Sequence, residues 1–199
     1  MSHIATSTRK VRKEAYSDDG FVSLPAFLSQ AEVDELIWQI DRYIADVVPN
    51  RPAEETFYED KRDRRTLKQI QQLWRHDAYF EHLVTEGSFR SLAEELLEGP
   101  VAPRNLQYFN KPAGVGQATP AHQDGFYFML DPCEALTMWL ALDDVDEENG
   151  CVRYVRGSHR RGMREHGTTN TLGFSQGITD YPSALDNQHE IALPASPGD

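Results

Sequence analysis

Ala121-His122-Gln123-Asp124-Gly125-Phe126 is the stretch on which the reading of this chain turns. Along an extended strand, side chains at i and i+2 share a face, so this spacing sets His122 beside Asp124 and turns Gln123 away. An imidazole nitrogen next to a carboxylate oxygen supplies two ligands of the 2-His-1-carboxylate set, which binds ferrous iron and leaves coordination positions open. The pair by itself is weak evidence, because seven His and sixteen Asp in 199 residues give about half of one His-x-Asp by chance. Its surroundings have to carry the rest.

Pro120 ahead of the pair marks the end of a loop, and Gly125 behind it permits close approach of backbone or ligand. Phe126 to Met129 continue as an aromatic, strand-favouring run closed by Asp131-Pro132. The apolar segment Leu136 to Leu142 reads as a further strand, because Asn149-Gly150 is a strong hairpin signal and Cys151 to Val155 behind it is a second short strand.

The run His122-Gln123-Asp124-Gly125-Phe126-Tyr127-Phe128, the strand Thr137-Met138-Trp139-Leu140, and Glu148-Asn149-Gly150-Cys151-Val152-Arg153-Tyr154-Val155 leading into Gly157-Ser158-His159-Arg160-Arg161-Gly162 together resemble the phytanoyl-CoA dioxygenase (PhyH) family. The similarity runs from about Asp19 to the end of the chain, with one small departure at Arg156, where the family has Pro. It implies a mainly β fold with flanking helices, a double-stranded β-helix or cupin-like jelly roll. It implies an oxygenase that uses Fe(II), 2-oxoglutarate and O2 on a small-molecule substrate. His122 and Asp124 take the metal-ligand places. Lys68, Gln107 and Trp139 match positions near 2-oxoglutarate; otherwise they would be a surface lysine, a solvent-facing strand residue and a core tryptophan. Phe126 shares the inward face and would wall the substrate pocket or simply pack there.

The resemblance also implies a second His ligand and an Arg for the far carboxylate of 2-oxoglutarate, both beyond a Pro-Gly-Asp turn. Here that turn is Pro197-Gly198-Asp199, the end of the sequence. The expectation is therefore a chain that lacks its last strands and third ligand and is inactive by itself. His159, His166 and His189 are poor substitutes by position, and His3, His76 and His82 read as surface residues. Two rival readings stay open: a binding module without catalysis, and a cupin-like metal enzyme that does not use 2-oxoglutarate.

Composition bounds the remainder. The length of 199 residues suits one domain, and 39% hydrophobic residues with 10% aromatic suffice for a core. A net charge of −12 argues against a nucleic-acid groove or an anionic membrane as partner. Cys133 and Cys151 form no disulfide framework, which suits a reducing, cytoplasmic setting, and each reads as a small buried hydrophobe. Residues 1 to 13 read as a basic, disordered tail, and 14 to 199 as the domain. Phe21 to Leu24 predicts an edge strand. Ser29 with Glu32 predicts a capping box, opening a helix that buries Val33, Leu36, Ile37, Ile40 and Ile44. Arg51 to Arg65 reads as an exposed loop; Asp77 and Ser88 each read as a helix cap, and Asn105 to Asn110 as a strand.

Overall fold

The computed structural model describes residues 2–199, with side chains from residue 9 onward; Met1 and the His3 side chain lie outside that description. The segment expected as a disordered tail is the start of a helix, α1 (Ser2–Asp19). Charge pairing accounts for its docking: Arg9 and Arg12 reach Glu95, and Lys13 reaches Glu98, so a basic face meets an acidic one. After α1, Phe21 to Leu24 form no strand; Phe21 instead stacks on Tyr154 at 4.8 Å.

The predicted capping box forms and opens α2 (Gln30–Arg42). Glu32 accepts from the Ser29 N–H at 2.8 Å while Ser29 Oγ accepts from the Glu32 N–H, so orphan N–H groups at the helix start are satisfied. Its stripe of Val33, Leu36 and Ile40 is buried, and Trp38 on the other side is exposed. Residues 51 to 65 are not the expected exposed loop. Arg51 is buried against Glu55, and the segment contributes β1 (Thr56–Tyr58). β1 pairs antiparallel with β2 (Leu67–Ile70), which pairs in turn with β3 (Tyr108–Phe109), the short part of Asn105 to Asn110 that forms a ladder.

Between β2 and β3 lie α3 (Ala78–Thr85), capped by Asp77 as predicted, and α4 (Gly87–Leu97). Glu86 occupies the cap position of α4, so Ser88 sits inside the helix and does not cap it. One core joins these elements: Leu28, Val33, Leu36, Ile40, Tyr43, Leu67, Ile70, Leu73 and Phe80, with Tyr43 and Phe80 edge to face at 5.3 Å.

The second half departs further from the sequence-based expectation. Phe126 to Phe128 are not a strand but part of a single helical turn, α5 (Asp124–Phe128). Leu136 to Leu142 form no ladder; the Ala141 backbone pairs with Gly198 and Asp199. Asn149-Gly150 does make a tight turn, since Asp146 accepts from the N–H groups of Glu148, Asn149, Gly150 and Cys151. That turn closes locally on Asp146, however, so β4 (Val152–Val155) pairs antiparallel with β7 (Glu190–Leu193) and not with the preceding apolar run. β5 (His166–Thr171) and β6 (Phe174–Ile178) form a hairpin, followed by α6 (Ala184–His189). Helix outweighs strand in the described residues, so the mainly β expectation is corrected to short sheets plus helices.

Candidate metal centre

His122 and Asp124 do come together, by a different local route from the one expected. Gln123 is extended (φ −118°, ψ 121°), which throws the flanking side chains to one side, and Asp124 then begins α5. His122 Nε2 lies 3.2 Å from Asp124 Oδ1. Two donors bound at a right angle through bonds of about 2.1 Å stand about 3 Å apart, so this separation suits adjacent ligands of one ion. His122 Nδ1 lies 2.8 Å from the Pro120 carbonyl. Donation there places the proton on Nδ1 and leaves Nε2 free to ligate, the usual outer-shell arrangement for a metal-binding His. The residues present thus fit two places of a facial triad, and among the described residues no third His, Cys, Asp or Glu joins them.

Electrostatics tie the two together. Burial disfavours the charged His122, but the Asp124 carboxylate and Pro120 carbonyl outweigh that and raise its pKa. Asp124 is lowered, first by the His122 imidazole facing it, against burial and with help from Thr137. The Thr137 hydroxyl donates to Asp124 Oδ2, leaving Oδ1 facing His122. Sequence reasoning missed Thr137; only its place at the start of the Thr-Met-Trp-Leu run hinted at a role.

Aromatic rings flank the imidazole. Phe174 of β6 lies 5.1 Å from His122 and Tyr127 lies 5.9 Å away, while Phe109 of β3 packs edge-on against Phe174 at 5.8 Å. Tyr127 is pinned to β6, its hydroxyl donating to the Gln176 carbonyl and accepting from the Gln176 N–H. Gly125 makes room for Cys133: a Cβ there would meet Cys133 Sγ at 2.1 Å unless that side chain turned away. Cys133 is itself exposed, contrary to expectation, because it lies in the irregular segment after α5; Cys151 is buried as expected.

The other expected site residues are dispersed around this pair. Phe126 stacks on His166 at 4.2 Å, on the side of α5 toward β5. Lys68 is not a surface lysine: it is 1% exposed in β2, its Nζ 2.8 Å from Glu59 Oε1 at an angle outside hydrogen-bond alignment. Gln107 accepts from Gln69 Nε2 at 2.7 Å on the same sheet. That sheet reaches His122 through Phe109 and Phe174. Trp139 stands two residues beyond Thr137 and is 40% exposed, so it is not the core tryptophan of the alternative reading. His76 pairs with Glu55 and His82 is exposed, while His159 caps the Ser17 carbonyl at 2.9 Å.

The sequence profile described as "Phytanoyl-CoA dioxygenase (PhyH)" matches residues 16–199. A phytanoyl-CoA dioxygenase of Arabidopsis thaliana is 26% identical over 210 residues, covering 88% of this chain and 72% of the relative. Among solved structures, EctD from S. alaskensis with 2-oxoglutarate and 5-hydroxyectoine superposes with a TM-score of 0.74 at 19% identity, over 94% of this chain and 64% of that one. EvdO2 from Micromonospora carbonacea var. aurantiaca, complexed with 2-oxoglutarate, gives 0.63 at 25% identity over 94% and 77%. The chain therefore shares the fold of these proteins while spanning from under two thirds to about three quarters of their length. With a profile match across nearly its whole length around the His122-Gln123-Asp124 pair, the chain belongs to the phytanoyl-CoA dioxygenase (PhyH) family.

Proposed function

We propose that the protein hydroxylates a C–H bond of a small-molecule substrate in an Fe(II)- and 2-oxoglutarate-dependent reaction, with His122 and Asp124 as iron ligands. The family uses Fe(II), 2-oxoglutarate and O2. The observation that carries the reading is the 3.2 Å approach of His122 Nε2 to Asp124 Oδ1, with Nδ1 occupied by the Pro120 carbonyl and Oδ2 by Thr137. Bound iron would supply the oxidising chemistry. The chain's own residues bind, orient and exclude water. Thr137 and Pro120 set the direction of the two ligand lone pairs. Phe174 and Tyr127 pack against the imidazole, and Phe126, stacked on His166, would wall the substrate pocket.

Lys68, Gln107 and Trp139 form the 2-oxoglutarate side in this reading. The buried ammonium of Lys68 takes a carboxylate oxygen, and its misaligned contact with Glu59 leaves donors to spare. The substrate is a small molecule; among the described residues no helix is long and apolar enough to cross a membrane. A carboxylate at Asp124 would occupy a metal position that halogenation would need for a halide, so the residues present suit hydroxylation.

One observation favours a second reading for these 199 residues by themselves. Two protein donors hold Fe(II) weakly, and no third joins them among the described residues. On that reading the stretch is a binding module without turnover. Succinate release from 2-oxoglutarate with Fe(II), ascorbate and O2, compared between the native chain and His122→Ala, decides. Iron-dependent succinate formation lost in His122→Ala supports the oxygenase; formation that survives the substitution overturns the assignment of His122.

A further inference from the structure

Gln123, the residue between the two ligand positions, is held at all four of its polar atoms. Its N–H donates to His166 Nε2 at 3.1 Å, and its carbonyl accepts from the Phe126 N–H at 3.0 Å. Its side-chain oxygen accepts from the Arg164 N–H at 2.8 Å, and its side-chain nitrogen donates to the Gly162 carbonyl at 3.0 Å. A glutamine tied this completely is unusual for a residue with no ligand role, since each bond fixes a rotor that solvent would otherwise leave free.

The partners are themselves fixed. Because His166 Nε2 accepts, its proton sits on Nδ1 and donates to the Arg164 carbonyl at 2.9 Å. Its ring lies flat on Phe126, 4.2 Å away with 15° between planes. The Arg164 guanidinium is anchored on the fully buried Asp186 at 2.9 Å and on Asp180 at 2.7 Å. The segment from Gly162 to His166 is therefore a rigid rail bolted to the start of α6, and Gln123 is clamped along it.

We propose that His166 and Gln123 are positioning residues that fix the spacing of His122 and Asp124 before the metal arrives. His166 is not a ligand in this account, and the inference rests on the reading of His122 and Asp124 as the iron-binding pair. The two ligands hang from either side of Gln123, so rotation of its two peptide groups swings them apart. The His166 bond holds one of those groups, and the two side-chain bonds stop the residue from rolling. Ligand orientation set in advance is what outer-shell partners contribute to metal affinity.

Fe(II) affinity under anaerobic conditions, measured by calorimetry on the full chain, tests this together with hydrogen exchange at the Gln123 amide in metal-free protein. His166→Phe keeps the stack on Phe126 and removes the acceptor; His166→Gln places a carbonyl oxygen the same number of bonds from Cβ as Nε2. The expected result is Fe(II) binding at least about tenfold weaker in His166→Phe and near native in His166→Gln. Gln123 exchange should be fast in the first variant and protected in the second. Gln123→Leu, which leaves His166 intact, should also weaken Fe(II) binding, and metal-free melting temperatures separate that loss from unfolding. Native affinity with protected Gln123 in His166→Phe, while His122→Ala loses binding, overturns the clamp alone. Fe(II) binding unchanged in His122→Ala overturns the iron-site reading, and the clamp with it.

Discussion

Replacing Asp186 by Asn should cost stability in a pH window that the structure defines. Asp186 is fully buried at the start of α6, where Oδ2 accepts from the Ser183 N–H at 2.9 Å and from Arg164 at 2.9 Å, and Oδ1 from Arg161 at 3.2 Å. Burial pushes its carboxyl upward, but the Ser183 and Arg164 bonds win and hold it at about 2, against an ordinary 3.8. The folded value lies below the unfolded one, so the ionised carboxylate stabilises the fold above about pH 4, and that contribution is lost as pH falls toward 2. At about 1.4 kcal/mol per pH unit, the difference corresponds to roughly 2 kcal/mol. Urea denaturation of native protein and Asp186→Asn at pH 7, 4, 3 and 2.5 isolates this carboxyl from others that titrate nearby. The native chain should be more stable by about 2 kcal/mol at pH 7, and the gap should close below pH 4. A gap that is absent at pH 7, or that persists unchanged to pH 2.5, refutes the reasoning.

Other perturbations reach separate parts of the account. Phe80→Ala removes a buried ring from the junction of α2 and α3 and should cost about 3–5 kcal/mol in the same denaturation assay. Lys68→Met strands the partly enclosed Glu59 carboxylate and should destabilise by about 3 kcal/mol, with Glu59→Gln in the same chain recovering much of the loss. Ser29→Ala removes the reciprocal cap of α2 and should cost about 1 kcal/mol. Gly125→Ala drives a Cβ against Cys133 Sγ next to Asp124, so Fe(II) affinity read by calorimetry should fall, while Gly99→Ala, whose Cβ meets nothing closer than 3.9 Å, leaves that affinity unchanged.

The sequence carried two of its three helix caps, Ser88 being the exception, and lateral pairing poorly. Ser29 with Glu32 and Asp77 specified their helix starts because a cap is a contact between near neighbours. The alternation of His122 and Asp124 was legible for the same reason: one extended residue between them suffices to bring the side chains together. Strand partners were not legible. Asn149-Gly150 marked a real turn, yet the pairing of β4 with β7 is decided by contacts across more than thirty intervening residues that no short motif encodes. The aromatic run after Gly125 favours strand by propensity, but Tyr127 bonded to Gln176 and Phe126 stacked on His166 hold it in a helical turn. Burial of Lys68 was hidden too, because a lysine is normally at the surface and its partner Glu59 lies in a segment that reads as loop. Gln123 and His166 were invisible as a pair, being joined only when β5 comes to lie against residues 122–124.

Iron-dependent activity at this site requires His122 and Asp124 to grip one ion. X-ray absorption at the iron edge of Fe(II)-loaded, oxygen-free protein measures this directly, by counting the imidazole rings bound to the metal. Imidazole scattering should be present in the native chain and lost in His122→Ala, with the iron released or left in an all-oxygen shell. Iron bound in both proteins with identical spectra would contradict it, and would place the metal elsewhere on the chain.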